Sequence, residues 1–219
     1  MPELKPTIEG GSIILLGSFN PKIFQPEWFV RQGLLSEAEI AEANIKIIHP
    51  QVSEFETEHF QIQVIAQRFS AVSQKSTNPV PLRDLVRGTF LILEHTPVTA
   101  MGLNCMMHYP MESEERWHRV GDKLAPKEGW NEILPRRVGL ASLSLLTEKD
   151  PATGAVFRVR IEPSVQVKYG VYIEVNEHHQ APEAEALKSL MEILDKRWEE
   201  TQNYGHRIAD HILAWAEKG

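Results

Sequence analysis

Val165-Gln166-Val167-Lys168-Tyr169-Gly170-Val171-Tyr172-Ile173-Glu174-Val175-Asn176 is the stretch that decides the fold class. Val165, Val167, Tyr169, Val171, Ile173 and Val175 fall on one side of an extended chain, with Gln166, Lys168, Tyr172, Glu174 and Asn176 opposite. A period of two predicts a half-buried strand of an antiparallel sheet. Gly170 in its middle predicts a bulge or the close approach of another group. From Pro182 the period changes. Leu187, Leu190, Leu194 and Trp198 make a stripe at helical spacing, which Ile208, Ile212 and Trp215 continue. Thr201 and Gly205 weaken its middle and predict a bend or break near Tyr204-Gly205. A long helix that follows such a sheet buries its stripe most simply across the sheet's apolar face. The expectation is a two-layer α+β fold: a mainly antiparallel sheet with a long C-terminal helix packed across one face, in a single domain of 219 residues.

Working back toward the N-terminus, Val138 to Thr147 and Ala155 to Ile161 flank Asp150-Pro-Ala-Thr-Gly154 and predict a hairpin. Val98 to Tyr109 reads as a strand, and Ser113 caps a short helix containing Trp117. Leu82, Leu85, Val86, Phe90 and Leu93 share a helical face that Pro97 stops. Ser76 to Pro81 reads as a loop, and His59 to Val72 as one long strand with Phe60, Ile62 and Val64 on one side. Ser36 and Glu39 have capping-box spacing for a helix through Ala43. Pro26 suits the first turn of another helix, and Ser12 to Leu16 is a short strand ended by Gly17 and Asn20-Pro21.

Composition limits the function classes. Apolar residues make up 42% and charged residues 24%, which argues against disorder. The net charge is -7, and the densest basic spots, Arg136-Arg137 and Arg158 with Arg160, are each followed by acids, so nucleic acid is disfavoured as a partner. No apolar run approaches a signal peptide or a membrane span, and a single cysteine fits a reducing compartment. A soluble, cytoplasmic protein is expected.

Motifs for chemistry are missing. Cys105 lies on an apolar strand, without a glycine turn or helix N-terminus to lower its pKa. No serine sits in a Gly-x-Ser-x-Gly elbow, and no phosphate loop of the Gly-x-x-x-x-Gly-Lys-Ser/Thr type occurs. His178 and His179 would point to opposite faces of a strand, and His206 with Asp210 supplies only two donors, so neither metal nor cofactor is expected.

Gly17-Ser18-Phe19-Asn20-Pro21, directly after an apolar strand, resembles the opening of the nucleotidylyltransferase superfamily. The resemblance implies a parallel sheet with a nucleotide at the Gly17 loop. The family's His-x-Gly-His element would fall on Ile23, Phe24, Gln25 and Pro26, so both histidines are absent, and the run reads as a turn. Over most of the chain, from that run through His95-Thr-Pro97 to Glu162-Pro-Ser164, the sequence is similar to an uncharacterised, sporadically distributed bacterial family. That resemblance implies an antiparallel sheet with a terminal helix, and hints at accessory or defence-related systems.

Two features point to binding. Met101, Met106, Met107 and Met111 crowd one segment, a composition common on adaptable contact surfaces. Trp117 and Trp130 bracket a loop-like run, Gly121 to Gly129. The expected function is therefore a non-catalytic subunit or adaptor of a bacterial multiprotein system, with a protein partner or a second copy meeting Met101, Met107, Trp117 and Trp130. The alternative is a small-ligand-binding domain or atypical enzyme, with a cavity between sheet and helix. Arg158 and Arg160 beside Gly170 would then hold an anionic ligand.

Overall fold

Ile8–Gly17 forms the first strand (β1) and lies at the centre of the sheet rather than at its edge. In the computed structural model, which describes residues 4–73, 80–136, 138–181 and 185–217, the other elements follow in order. They are α1 (Pro26–Arg31), α2 (Glu37–Ala41), β2 (Asn44–His49), β3 (Val52–Glu56), β4 (Phe60–Ile65), β5 (Arg68–Ser73) and α3 (Val80–Ile92). Then come β6 (Val98–Pro110), α4 (Glu114–Leu124), α5 (Glu128–Asn131), β7 (Leu143–Leu146), β8 (Val156–Pro163), β9 (Gly170–Gln180) and α6 (Ala186–Glu217). Nine strands run in the order β2-β3-β4-β5-β1-β6-β9-β8-β7, and every ladder is antiparallel. The α+β reading holds, and among the described residues the parallel sheet implied by the nucleotidylyltransferase resemblance is not present. Among the described residues no helix is long and apolar enough to cross a membrane.

Local signals place many elements. Pro26 opens α1, Ser36 and Glu39 form a reciprocal capping box on α2, and the Ser113 hydroxyl accepts the Arg116 N–H at the start of α4. Asp150 Oδ1 accepts the N–H groups of Ala152 and Thr153 in the turn before β8.

Other readings need correcting. The strand read at Val165–Val175 begins only at Gly170 and runs on to Gln180. Ser164–Tyr169 is a turn closed by the Gly170 N–H on Val167 O at 2.9 Å, and Val165 is 96% exposed. Its alternation misled because the true strand puts Glu177 and His179 on the buried side, where apolar residues are expected. Gly170 opens the strand instead of interrupting it, although the close approach holds, with Val167 and Ser164 packed where its Cβ would stand. His59–Val72 is a hairpin of β4 and β5 about Ala66-Gln67, a turn with no glycine or asparagine to announce it. β2 escapes a period-two reading because a bulge between Ile45 and Ile47 breaks the alternation, and β3, which does alternate in burial, carries the polar Ser53 on its buried side. Gly121 lies inside α4, and Gly129 inside α5. The loop read at Ser76–Pro81 lies outside the described residues up to position 79, as do Arg137 and the proposed helix start at Pro182; Val80 and Pro81 belong to α3.

All the packed helices lie on one face of the sheet. Ile13, Leu15, Ile62, Phe69, Met101 and Leu103 meet α3 and the first half of α6 there, around an aromatic cluster in which Phe69 and Phe90 stand 5.0 Å apart, edge to face. Phe19 of the Gly17–Pro21 run belongs to this cluster. A second apolar group, Met107, Tyr109, Ile173, Val175, Ala209 and Leu213, fills the space under the second half of α6.

α6 is a single unbroken helix, contrary to the expected break. Gly205 serves contact: a Cβ there would lie 2.7 Å from Cys105 Cβ on β6. Gly11 on β1 plays the mirrored part, since its Cβ would meet the Trp198 ring of α6 at 2.7 Å. A polar pin also crosses the layers. Buried Glu177 on β9 accepts Arg197 Nε at 2.9 Å, His179 Nε2 at 3.1 Å and the Thr201 hydroxyl.

Candidate functional site

The opposite face of the sheet carries no helix among the described residues. Alternation puts Ser12, Asn104, His108, Asn176 and Ser70 there, and these polar residues are nonetheless buried. They shield one another: Asn176 Nδ2 donates to Asn104 Oδ1 at 2.8 Å, and Asn104 Nδ2 donates to Ser12 O at 3.2 Å.

At one end of this face lies a trough of about 460 Å³. Gly10, Met106 and His108 contribute from β1 and β6, Gln61 and Val72 from β4 and β5, and Tyr172 with Pro163, Val165 and Gln166 from the other side. His108 is 7% exposed and its ring lies 4.7 Å from that of Tyr172. Its Nδ1 is 2.8 Å from Ser164 Oγ. That oxygen also accepts the N–H groups of Gln166 at 3.1 Å and Val167 at 2.9 Å. With both lone pairs engaged, the Ser164 hydroxyl has only its proton to offer, so it donates to Nδ1. Burial lowers the His108 pKa, which favours the neutral ring. Neutral His108 therefore carries its hydrogen on Nε2, and no described residue accepts a hydrogen bond from that atom.

The structure separates most of the residues picked out from sequence. Arg158 and Arg160 do share the open face. Arg160 is already occupied by Glu174 at 2.8 Å and Glu162 at 3.6 Å, and it lies over the Tyr172 ring. Tyr172 donates its hydroxyl to Glu174 as well, at 2.7 Å. Arg158 is exposed, and neither arginine lines the trough. Gly170 and Trp117, assigned to different roles, meet directly: the indole N–H donates to Gly170 O at 3.0 Å and fastens the turn to α4. Met101 and Met107 are fully buried on the covered face, out of a partner's reach, because alternation on β6 turns both toward α6. Trp130 is 56% exposed, with Ile133 and Leu134 exposed beside it in sequence.

Other centres are quiet. Burial, reinforced by the charge of Glu9, pushes the Cys105 thiol up to about 12. His178 and His179 do face opposite sides, and His206 lies 3.6 Å from Glu9. No three His, Cys, Asp or Glu side chains among the described residues cluster to hold a metal. The interlayer space under α6 is filled around Trp198. Open volume on the helix side lies at the rim, in a groove of about 930 Å³ where α3 and α6 diverge beside Phe90, Leu91, Leu187 and Met191.

Among the described residues no strand pairs with the outer edge of β2 or of β7. All six residues of β2 are exposed, with Ile45, Ile47 and Ile48 among them, while Lys46 folds back on Glu56 at 3.2 Å. At the far edge Leu145 and Leu146 of β7 are exposed, the second at 71%. Neither the His108–Ser164 pair nor the β2 edge is visible in the sequence. The first joins residues 56 apart, and the second lacks a clean period. No protein-family model matches the chain, and no curated protein matches it.

Proposed function

We propose that this protein works by binding, as a subunit or adaptor that takes a strand of a protein partner onto an edge of its sheet. The observation that carries this reading is the β2 edge. A row of unpaired backbone N–H and C=O groups lies there between exposed isoleucines, and such an edge is a template for strand addition. Lys46, the residue type that ordinarily blunts an edge, is drawn aside by Glu56. A catalytic reading finds less support. The Ser164 oxygen has both lone pairs tied to backbone amides and does not line the trough, so the Ser164–His108 pair lacks a free nucleophile. The Cys105 thiol is held protonated.

The test is affinity purification of the tagged protein from its own host, followed by native mass determination of the wild type and of Ile47→Lys. A stoichiometric partner or second copy that is lost in Ile47→Lys, with an unchanged melting curve, supports strand addition at β2. A wild-type protein that elutes as a bare monomer at all concentrations removes it.

A further inference from the structure

The trough on the open face has a chemistry of its own, independent of the sheet edges. We propose that it is a binding site for an uncharged, planar ligand whose carbonyl oxygen, of an amide or a heteroaromatic ring, accepts a hydrogen bond from His108 Nε2. The donor is fixed by the turn. Ser164 can engage Nδ1 only through its hydroxyl proton, because Gln166 and Val167 hold both its lone pairs, so the N–H is directed to the other nitrogen. His108 is a buried side chain that lines the trough, with one ring nitrogen paired and the other unpaired among the described residues, and such a donor is poised to meet an acceptor.

The lining selects against charge. Among the described residues no lysine or arginine lines the trough, and the Glu162 carboxylate stands at it, so an anion meets repulsion without a counter-charge. A cation finds no vacant carboxylate either. Glu162 is engaged by Ser142 at 2.9 Å and Arg160 at 3.6 Å, and the Glu9 side chain alternates to the other face of the sheet, 3.6 Å from His206 of α6. What remains is apolar: Ile8, Val72, Met106, Pro163 and the Tyr172 ring, with the Gln61 and Gln166 amides at the two sides. The volume suits a small organic molecule.

Three isosteric probes separate the cases: benzamide, benzoate and benzamidine. Long-range 1H–15N spectra of the histidine-labelled protein report the tautomer and the environment of each ring nitrogen. The free protein should show His108 with Nδ1 as acceptor and hydrogen on Nε2, and benzamide should shift the Nε2 signal. His108→Phe, which keeps a ring beside Tyr172, should weaken benzamide binding at least tenfold. Met106→Trp, which fills the trough without touching His108–Ser164, should abolish the shift while leaving the tautomer unchanged. An Nδ1–H tautomer, a larger response to benzoate or benzamidine than to benzamide, or no response to any of the three would each overturn the assignment.

Discussion

Glu177 shows what a single residue contributes here. Burial pushes its carboxyl up, but hydrogen bonds from His179, Arg197 and Thr201, with the Arg197 charge, outweigh that and hold its pKa below the ordinary value. A carboxyl lowered in the folded state adds stability above its unfolded pKa, and the contribution disappears as pH falls through the folded value. Glu177→Gln should therefore cost about 2 kcal/mol at pH 7. In urea unfolding that cost should shrink once the pH drops below about 4.5, the ordinary value for Glu; an unchanged difference at pH 3 would contradict the pinning role. Cys105 makes the opposite case. With its thiol pushed up to about 12, iodoacetamide at pH 8 should label the protein only as fast as it unfolds, and rapid native labelling would contradict the burial. The inertness of Cys105 was legible from its apolar neighbours. The Glu177 pin was not: its partner Arg197 lies across the layer, and Glu177 occupies a position where alternation expects an apolar side chain.

Among the elements, α6 carries the sharpest contrast between local sequence and tertiary fact. Gly205 reads as a weakness in a helix, and in an exposed helix Gly→Ala would add about 1 kcal/mol of stability. Here the new methyl meets Cys105, so Gly205→Ala should lower stability by about 1–2 kcal/mol once the helix gain is set against overpacking. Gly11→Ala should also destabilise, through Trp198. Thermal melts decide it, and a higher melting temperature for Gly205→Ala would mean that the helix stands further off the sheet. The helices were legible because their caps and stripes are local, as with Ser36–Glu39 on α2 and Leu187 to Trp198 on α6. Strand boundaries were less so. Ala66-Gln67 turns the chain without a turn residue, and Val165 alternates in phase with a strand to which it does not belong.

At the scale of the whole molecule, one sheet runs through everything and one helix spans both apolar groups. Leu187 to Trp198 belong to the first and Ala209 to Ala216 to the second, so loosening either group strips half the cover from α6. Unfolding followed by tryptophan fluorescence and by far-UV circular dichroism should coincide in one transition, and two separated transitions would show that the halves melt independently. Sequence pattern reached the layers and the antiparallel sheet. It did not reach the strand order, because the placement of β1 between β5 and β6 depends on pairings far apart along the chain.

β2 and β7 each leave one edge unpaired among the described residues, and they differ in length and in side chains. The molecule thus has a valence of two and a polarity. Two copies joined β2 to β2 about a two-fold axis stop at a pair. Copies joined β2 to β7 offer a fresh end at every addition and do not close. Which mode operates is readable from how scattering grows with concentration, and a foreign strand capping β2 would act as a chain terminator for the second.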